Sequence, residues 1–329
     1  MEEPASGFGP SGGTDEEKSL DTIEPQEPQK RTLAYHLYTI WLFTASDIKS
    51  VVVPETLLGL STALSGSLLS SNAAPKLLDV LSRVPSIALW NWLSLFLFDV
   101  DNQFQPDSII EDSVNKPWRA IPSKRLTAEE ARHSMLVIIP TVFLATLYLG
   151  GTREAMTLAI MTCMYNDFNG ADVHFVTRNW LNAFGYMCYS SGSMIVAVGY
   201  GQHQLNETAK WWLAIIGGII FTTLQMQDMP DVEGDAARGR RTIPLVYGDT
   251  VARWSIATPI IAWSFIVPTF WKMSPLGYVA PVAIGVVFAG RLLMLRNVAA
   301  DGVTWKIWCV WMTMIYLTPV CKEKLALGR

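Results

Sequence analysis

Residues 227–249 read QDMPDVEGDAARGRRTIPLVYGD and follow directly on an apolar run, WWLAIIGGIIFTTLQM, at 211–226. Asp228, Asp231 and Asp235 stand at i, i+3 and i+7, a spacing that puts all three carboxylates on one face of a helix. Three acids on one stripe beside a hydrocarbon segment repel one another and need a cation to stay ionised. Hard oxygen ligands favour Mg2+, which binds through one or two carboxylates together with substrate phosphates. Arg238, Arg240 and Arg241 come next, a residue type suited to gripping phosphate oxygens. For a single stretch of this kind, a solvated loop whose charges neutralise each other is the plain alternative.

A second stretch shifts that balance. Residues 102–127, NQFQPDSIIEDSVNKPWRAIPSKRLT, set Asn102, Asp107, Glu111 and Asp112 ahead of Lys116, Arg119, Lys124 and Arg125. Asp107 and Glu111 are i and i+4, again one helical face. Asp112 is followed seven residues later by RAIP, and Asp235 six residues later by RTIP. Acids, then bases, then Arg-x-Ile-Pro, repeated about four apolar spans apart, predict one site built from two matching sides. A prenyl diphosphate suits such a site, with its charged head between the loops and its tail among apolar helices.

Of 329 residues, 50% are hydrophobic and only 16% charged, and the mean hydropathy is +0.25. Soluble domains carry roughly a quarter charged residues, so the composition points to an all-α integral membrane bundle. Apolar windows of bilayer-crossing length lie near 50–70, 78–100, 131–150, 155–169, 180–200, 210–227, 252–271, 276–295 and 303–321, about nine spans. LAYHLYTIWLFTA at 33–45 reads as an interfacial helix with Tyr35, Tyr38 and Trp41 at headgroup depth. Residues 1–32 hold eight of the 29 acids and three of the 25 bases, with little to bury, and are expected to form a disordered acidic tail ahead of a membrane domain at 33–329. Basic residues gather in the two motif loops, which places both on the cytosolic side by the positive-inside rule. Cys163, Cys188, Cys309 and Cys321 stand singly and read as free thiols.

At these residues the chain resembles the UbiA superfamily of intramembrane prenyltransferases, nine-helix bundles whose two Asp-rich cytosolic motifs hold Mg2+ and an isoprenyl diphosphate. Asp228, Asp231 and Asp235 match the second motif, and GRRTIP resembles its continuation. In the first motif, counting back from KPWRAIPS puts the last acid on Asp112, with Ser108 and Gln105 at the other two positions. A one-residue shift uses Asp107 and Glu111 instead, with Pro106 bending the helix. The departure from Asn-Asp-x-x-Asp is similar to fungal UbiA-type terpene cyclases.

The resemblance implies metal ligation by Asp107, Glu111 or Asp112, and by Asp228, Asp231 and Asp235. It also implies diphosphate binding by Asn102, Lys116, Arg119, Arg178, Arg238 and Arg241. Tyr165, Asn166, Asp167, Asp172, Asn179 and Asn182, between the loops, read as a third wall or as helix caps. Trp92, Phe96, Tyr165, Tyr186 and Tyr189 are candidates to face a carbocation. The expected activity is Mg2+-dependent cyclisation of farnesyl or geranylgeranyl diphosphate in secondary metabolism. Transfer of the prenyl chain to an aromatic or lipid acceptor, and non-catalytic binding of prenyl lipids, stay open. The expected setting is the endoplasmic reticulum membrane with the site facing the cytosol. The lipid bilayer is the expected partner and nucleic acid is not, while nothing in the sequence names a protein partner.

Overall fold

The computed structural model describes residues 31–327. Most of the expected acidic tail therefore lies outside the described residues. Sixteen α-helices follow in order among the described residues: α1 Leu33–Thr44, α2 Val52–Leu64, α3 Leu77–Ser82, α4 Val84–Gln103, α5 Pro106–Asn115, α6 Ala128–Leu149, α7 Thr152–Tyr165, α8 Gly170–Val173, α9 Phe175–Val198, α10 Glu207–Thr223, α11 Val232–Arg238, α12 Ile243–Tyr247, α13 Asp249–Phe270, α14 Pro275–Met294, α15 Val298–Tyr316 and α16 Thr318–Leu327. Helices occupy each of the nine apolar windows. Five helical segments, Leu77–Gln103, Ala128–Leu149, Glu207–Asp228, Asp249–Phe270 and Pro275–Met294, are long and apolar enough to cross a bilayer.

Helix α6 shows why this is a membrane fold. Thr127 starts it with a reciprocal capping box to Glu130, which satisfies two of the free N–H groups at its first turn. Along its 22 residues only Ala131, Met135, Ile138, Val142 and Thr146 are buried, a single stripe. The remaining surface exposes Leu136, Val137, Ile139, Leu144, Leu147 and Tyr148, an apolar face that water does not tolerate and lipid does. Prolines inside α6, α13 and α14 are of the kind that membrane helices accommodate.

Inside the bundle, small residues and polar contacts join the helices. A β-carbon at Gly59 of α2 would lie 2.8 Å from the Ser193 carbonyl oxygen, so α2 and α9 meet backbone to backbone. Trp308 and Trp311 of α15 donate their indole N–H groups to Thr223 of α10 at 3.1 Å and Ser264 of α13 at 2.9 Å. The tryptophans thus serve packing. Trp92 and Phe96 stack at 5.5 Å in a lateral groove under α1 with Phe43, Ile138 and Val142, so the expectation that they face the reacting chain is corrected. The four cysteines are free thiols.

Candidate active site

The two charged loops meet. α5 lies against α11, joined by Asn115, whose side chain donates to the Asp231 carbonyl at 3.0 Å and accepts from the Gly234 N–H at 3.1 Å. Around this junction the C-terminal ends of α4, α7 and α10 and the N-terminal end of α9 form the mouth of one cavity. Asn102, Glu111, Lys116, Arg119, Tyr165, Arg178, Asp228, Asp231, Asp235 and Arg240 line its charged part, and Val51, Leu95, Phe98, Leu158, Leu181, Tyr186 and Tyr189 are among its less polar lining.

Each acid at the mouth has a basic partner. Arg178 binds Asp228. Lys116 Nζ lies 2.7 Å from Asp231 Oδ2. Arg240 Nη1 lies 2.9 Å from Asp235 Oδ1 and 3.0 Å from Glu111 Oε2, so one guanidinium ties the two acidic segments together. Asp172, on α8, holds Arg238 at 2.7 Å and Arg240 at 3.1 Å. Asn166 donates to Asp101 and accepts from Asn102, at 2.7 and 2.8 Å. The segment between α7 and α9 is therefore tied to α4 and to the second charged loop, while the cavity lining takes Tyr165 and Arg178 from its two ends.

Burial and neighbours set the charges. Burial, with the neighbouring Asp228 carboxylate, pushes the Asp235 carboxyl up to about 7. Burial works against the Glu111 carboxylate too, but Arg240, Lys116 and Arg238 together hold it below its ordinary value. Burial would lower Lys116, and the Asp231 carboxylate raises it above its usual range.

The first loop departs from the pairing of Asp107 with Glu111. Pro106 opens α5 as a new helix after α4 ends at Gln103. On α5, Ser108, Glu111 and Asp112 form the buried stripe, and Asp107, roughly a quarter turn away, is exposed. Asp112 faces inward but accepts both Arg119 bonds, at 2.9 and 3.0 Å, and Arg119 also holds Asp47 at 3.1 Å. Arg238 sits behind the wall, bonded to Ser108 at 2.7 Å and Glu111 at 3.2 Å. In the second loop Arg241 is exposed while Arg240 is buried. Gly239, left-handed at φ 81°, turns the chain after α11 so that Arg240 points inward. Asp47 and Asp99 line the cavity without having been singled out as site residues from the sequence.

The chain matches the UbiA prenyltransferase family over residues 60–310. It belongs to that family. Over 248 residues it is 34% identical to fumagillin beta-trans-bergamotene synthase of Aspergillus fumigatus, covering 75% of this chain and 79% of that one. Over 211 residues it is 25% identical to digeranylgeranylglyceryl phosphate synthase of Methanopyrus kandleri, covering 59% and 69%. The fold is that of a UbiA homolog from Archaeoglobus fulgidus solved bound to GPP and Mg2+, with a TM-score of 0.58 at 10% identity, covering 85% of this chain and 99% of that one.

The residues of this UbiA member fit a divalent ion. Among the described residues, no three Asp, Glu, His or Cys side chains cluster tightly enough to hold a metal by themselves. Asp228 Oδ2 and Asp235 Oδ2 are nevertheless buried without a hydrogen-bond partner, and both residues line the cavity. Two orphaned carboxylate oxygens beside a cluster of basic side chains suit a divalent ion such as Mg2+, which would take its remaining ligands from phosphate and water.

Proposed function

We propose that this protein is a membrane-embedded terpene cyclase acting on farnesyl or geranylgeranyl diphosphate. The observation that carries the reading is the convergence of both acidic loops on the mouth of one cavity with an apolar interior, in a chain 34% identical to a bergamotene synthase. Asp228 and Asp235, with Asp231 and Glu111 beside them, would hold Mg2+, which when bound neutralises diphosphate charge as a Lewis acid. Lys116, Arg119, Arg178 and Arg240 grip the diphosphate oxygens. Their attraction grows as the allylic C–O bond breaks and charge builds on the leaving group, so they favour the transition state over the bound substrate. Leu95, Phe98, Leu158, Leu181, Tyr186 and Tyr189 surround the prenyl chain, keep water from the allylic cation and present ring faces to it. The chain's own double bonds then close the ring. The proposed setting is the endoplasmic reticulum with the mouth facing the cytosol, as the basic residues of both loops support.

Transfer to an acceptor is the second reading, favoured by the similarity to digeranylgeranylglyceryl phosphate synthase. Membranes containing the protein, given farnesyl or geranylgeranyl diphosphate and Mg2+ without acceptor, separate the two. A cyclic hydrocarbon in the headspace supports cyclisation. Turnover only with an added aromatic or lipid acceptor overturns it in favour of transfer, and neither product nor diphosphate release leaves a binding protein.

A further inference from the structure

One carboxyl group in the cavity, Asp99, stands deeper than the acids of the two charged loops. Leu95, Asp99 and Asn102 share one face of α4 and all line the cavity. Asn102 stands at the charged mouth, so at 1.5 Å per residue Asp99 lies about 4.5 Å deeper. Asp99 is 3% exposed and its Oδ2 has no hydrogen-bond partner. An unpartnered carboxyl in a membrane-spanning helix is costly, and packing alone does not offset it. Asp47, also on the wall, is engaged by Arg119 and Ser46. The other orphaned polar atoms on the wall away from the metal acids are Arg119 Nε, the Asn182 amide nitrogen and the Tyr189 hydroxyl, two donors and a weak base. Asp99 is the group placed to receive a proton inside the cavity.

We propose that Asp99 is the base that ends cyclisation, an assignment that rests on the cyclase reading above. After diphosphate leaves, ring closure carries the positive charge along the prenyl chain. A C–H bond beside the final cationic carbon breaks, its electron pair becomes the new C=C bond, and the proton goes to Asp99 Oδ2. The proton then passes to the departing diphosphate at the mouth, which restores the carboxylate. Burial and the Asp47 carboxylate oppose the ionised form of Asp99, whereas Arg119 and Lys116 on the same wall favour it, and the cation arriving in the cavity adds to their side.

The test is Asp99→Asn in membranes given farnesyl or geranylgeranyl diphosphate with Mg2+, with released diphosphate and hydrocarbon measured in the same sample. Diphosphate release is expected to stay within about threefold of wild type, while hydrocarbon per diphosphate falls at least ~100-fold in favour of alcohol formed by water capture. Wild-type hydrocarbon yield per diphosphate overturns the proposal, and so does a variant that reaches the membrane normally but releases no diphosphate, since Asp99 would then serve ionisation. Loss of hydrocarbon in Tyr189→Phe but not in Asp99→Asn overturns the assignment, because the hydroxyl would then be the proton acceptor. If Asp99→Asn does not accumulate, Asp99→Glu reads the same step. Moving the oxygen by one methylene is expected to change the double-bond position, and an unchanged product in wild-type yield counts against it. A wild-type protein that makes no hydrocarbon without acceptor sinks the cyclase reading itself, an outcome distinct from failure of Asp99 alone.

Discussion

Asn115 and Gly234 lock the two halves of the site together: the Asn115 side chain reads the backbone of α11 through two hydrogen bonds, at 3.0 and 3.1 Å. A β-carbon at Gly234 would overlap the Asn115 amide, so only glycine lets α5 and α11 approach this closely. Each bond contributes about 1 kcal/mol net. Asn115→Ala is therefore expected to lower the rate of diphosphate release roughly 10- to 30-fold, and Gly234→Ala at least as much, both with normal amounts of protein in the membrane. Rates within twofold of wild type would mean that the two loops act independently.

The acids divide by position, not by charge. Asp228→Asn and Asp235→Asn each remove a carboxylate whose second oxygen is orphaned in the cavity, and each is expected to cut diphosphate release at least ~100-fold. Asp107→Asn, on the exposed side of α5, is expected to leave the rate within about twofold, as exposed substitutions do. Asp112→Asn has a different effect, because it leaves the buried Arg119 short of its main partner. About 3–5 kcal/mol of stability is lost, read as an earlier loss of folded protein in a detergent thermal melt. Release of diphosphate should stop when EDTA is added and return with Mg2+.

How much of this was legible in the sequence follows from what helical spacing encodes. Asp228, Asp231 and Asp235 all line the cavity, but not as the single helical face their spacing suggested: Asp228 ends a 3-10 turn, Asp231 caps α11 and only Asp235 lies on it. The apolar windows were readable because an apolar run of bilayer-crossing length needs no motif. Asp107 and Ser108 differ by a single residue, and which of them faces inward depends on where α5 restarts after α4, a bend set by packing of α5 on α11. Asp47 and Asp99 were invisible because an acid in an apolar stretch carries no motif, and only the converging helices reveal that Asp99 faces a cavity. Trp92 and Phe96 had the right type at the right depth, yet their side of α4 turns toward α1.

Arg240 and Arg241 test the same point. The repeated Arg-x-Ile-Pro would align Arg241 with Arg119, but the φ of Gly239, 81°, makes Arg240 the buried guanidinium that joins Asp235 to Glu111. Arg240→Ala is expected to reduce diphosphate release at least ~100-fold, since it removes a buried charge partner of three acids, Glu111, Asp172 and Asp235. Arg241→Ala should stay within about threefold. The reverse order would show that the sequence repeat, and not the turn at Gly239, decides which arginine meets the phosphate.

The raised Asp235 carboxyl predicts how magnesium dependence changes with pH. Its folded value, about 7, lies above the ordinary 3.8, so without metal the folded protein holds this proton more tightly than the unfolded chain does. Stability of the metal-free protein should therefore fall as pH rises from about 4 to 7 and level off above. Metal binding runs the opposite way, because the ion competes with that proton. The Mg2+ concentration for half-maximal diphosphate release is expected to be constant above about pH 7 and to rise, by up to about tenfold per unit, as pH falls below it. Titrating Mg2+ at pH 5.5, 6.5, 7.5 and 8.5 checks this. A half-saturating concentration that does not change across that range would mean that Asp235 is already ionised before the ion arrives, and that Arg240 and Arg178 outweigh its burial beside Asp228.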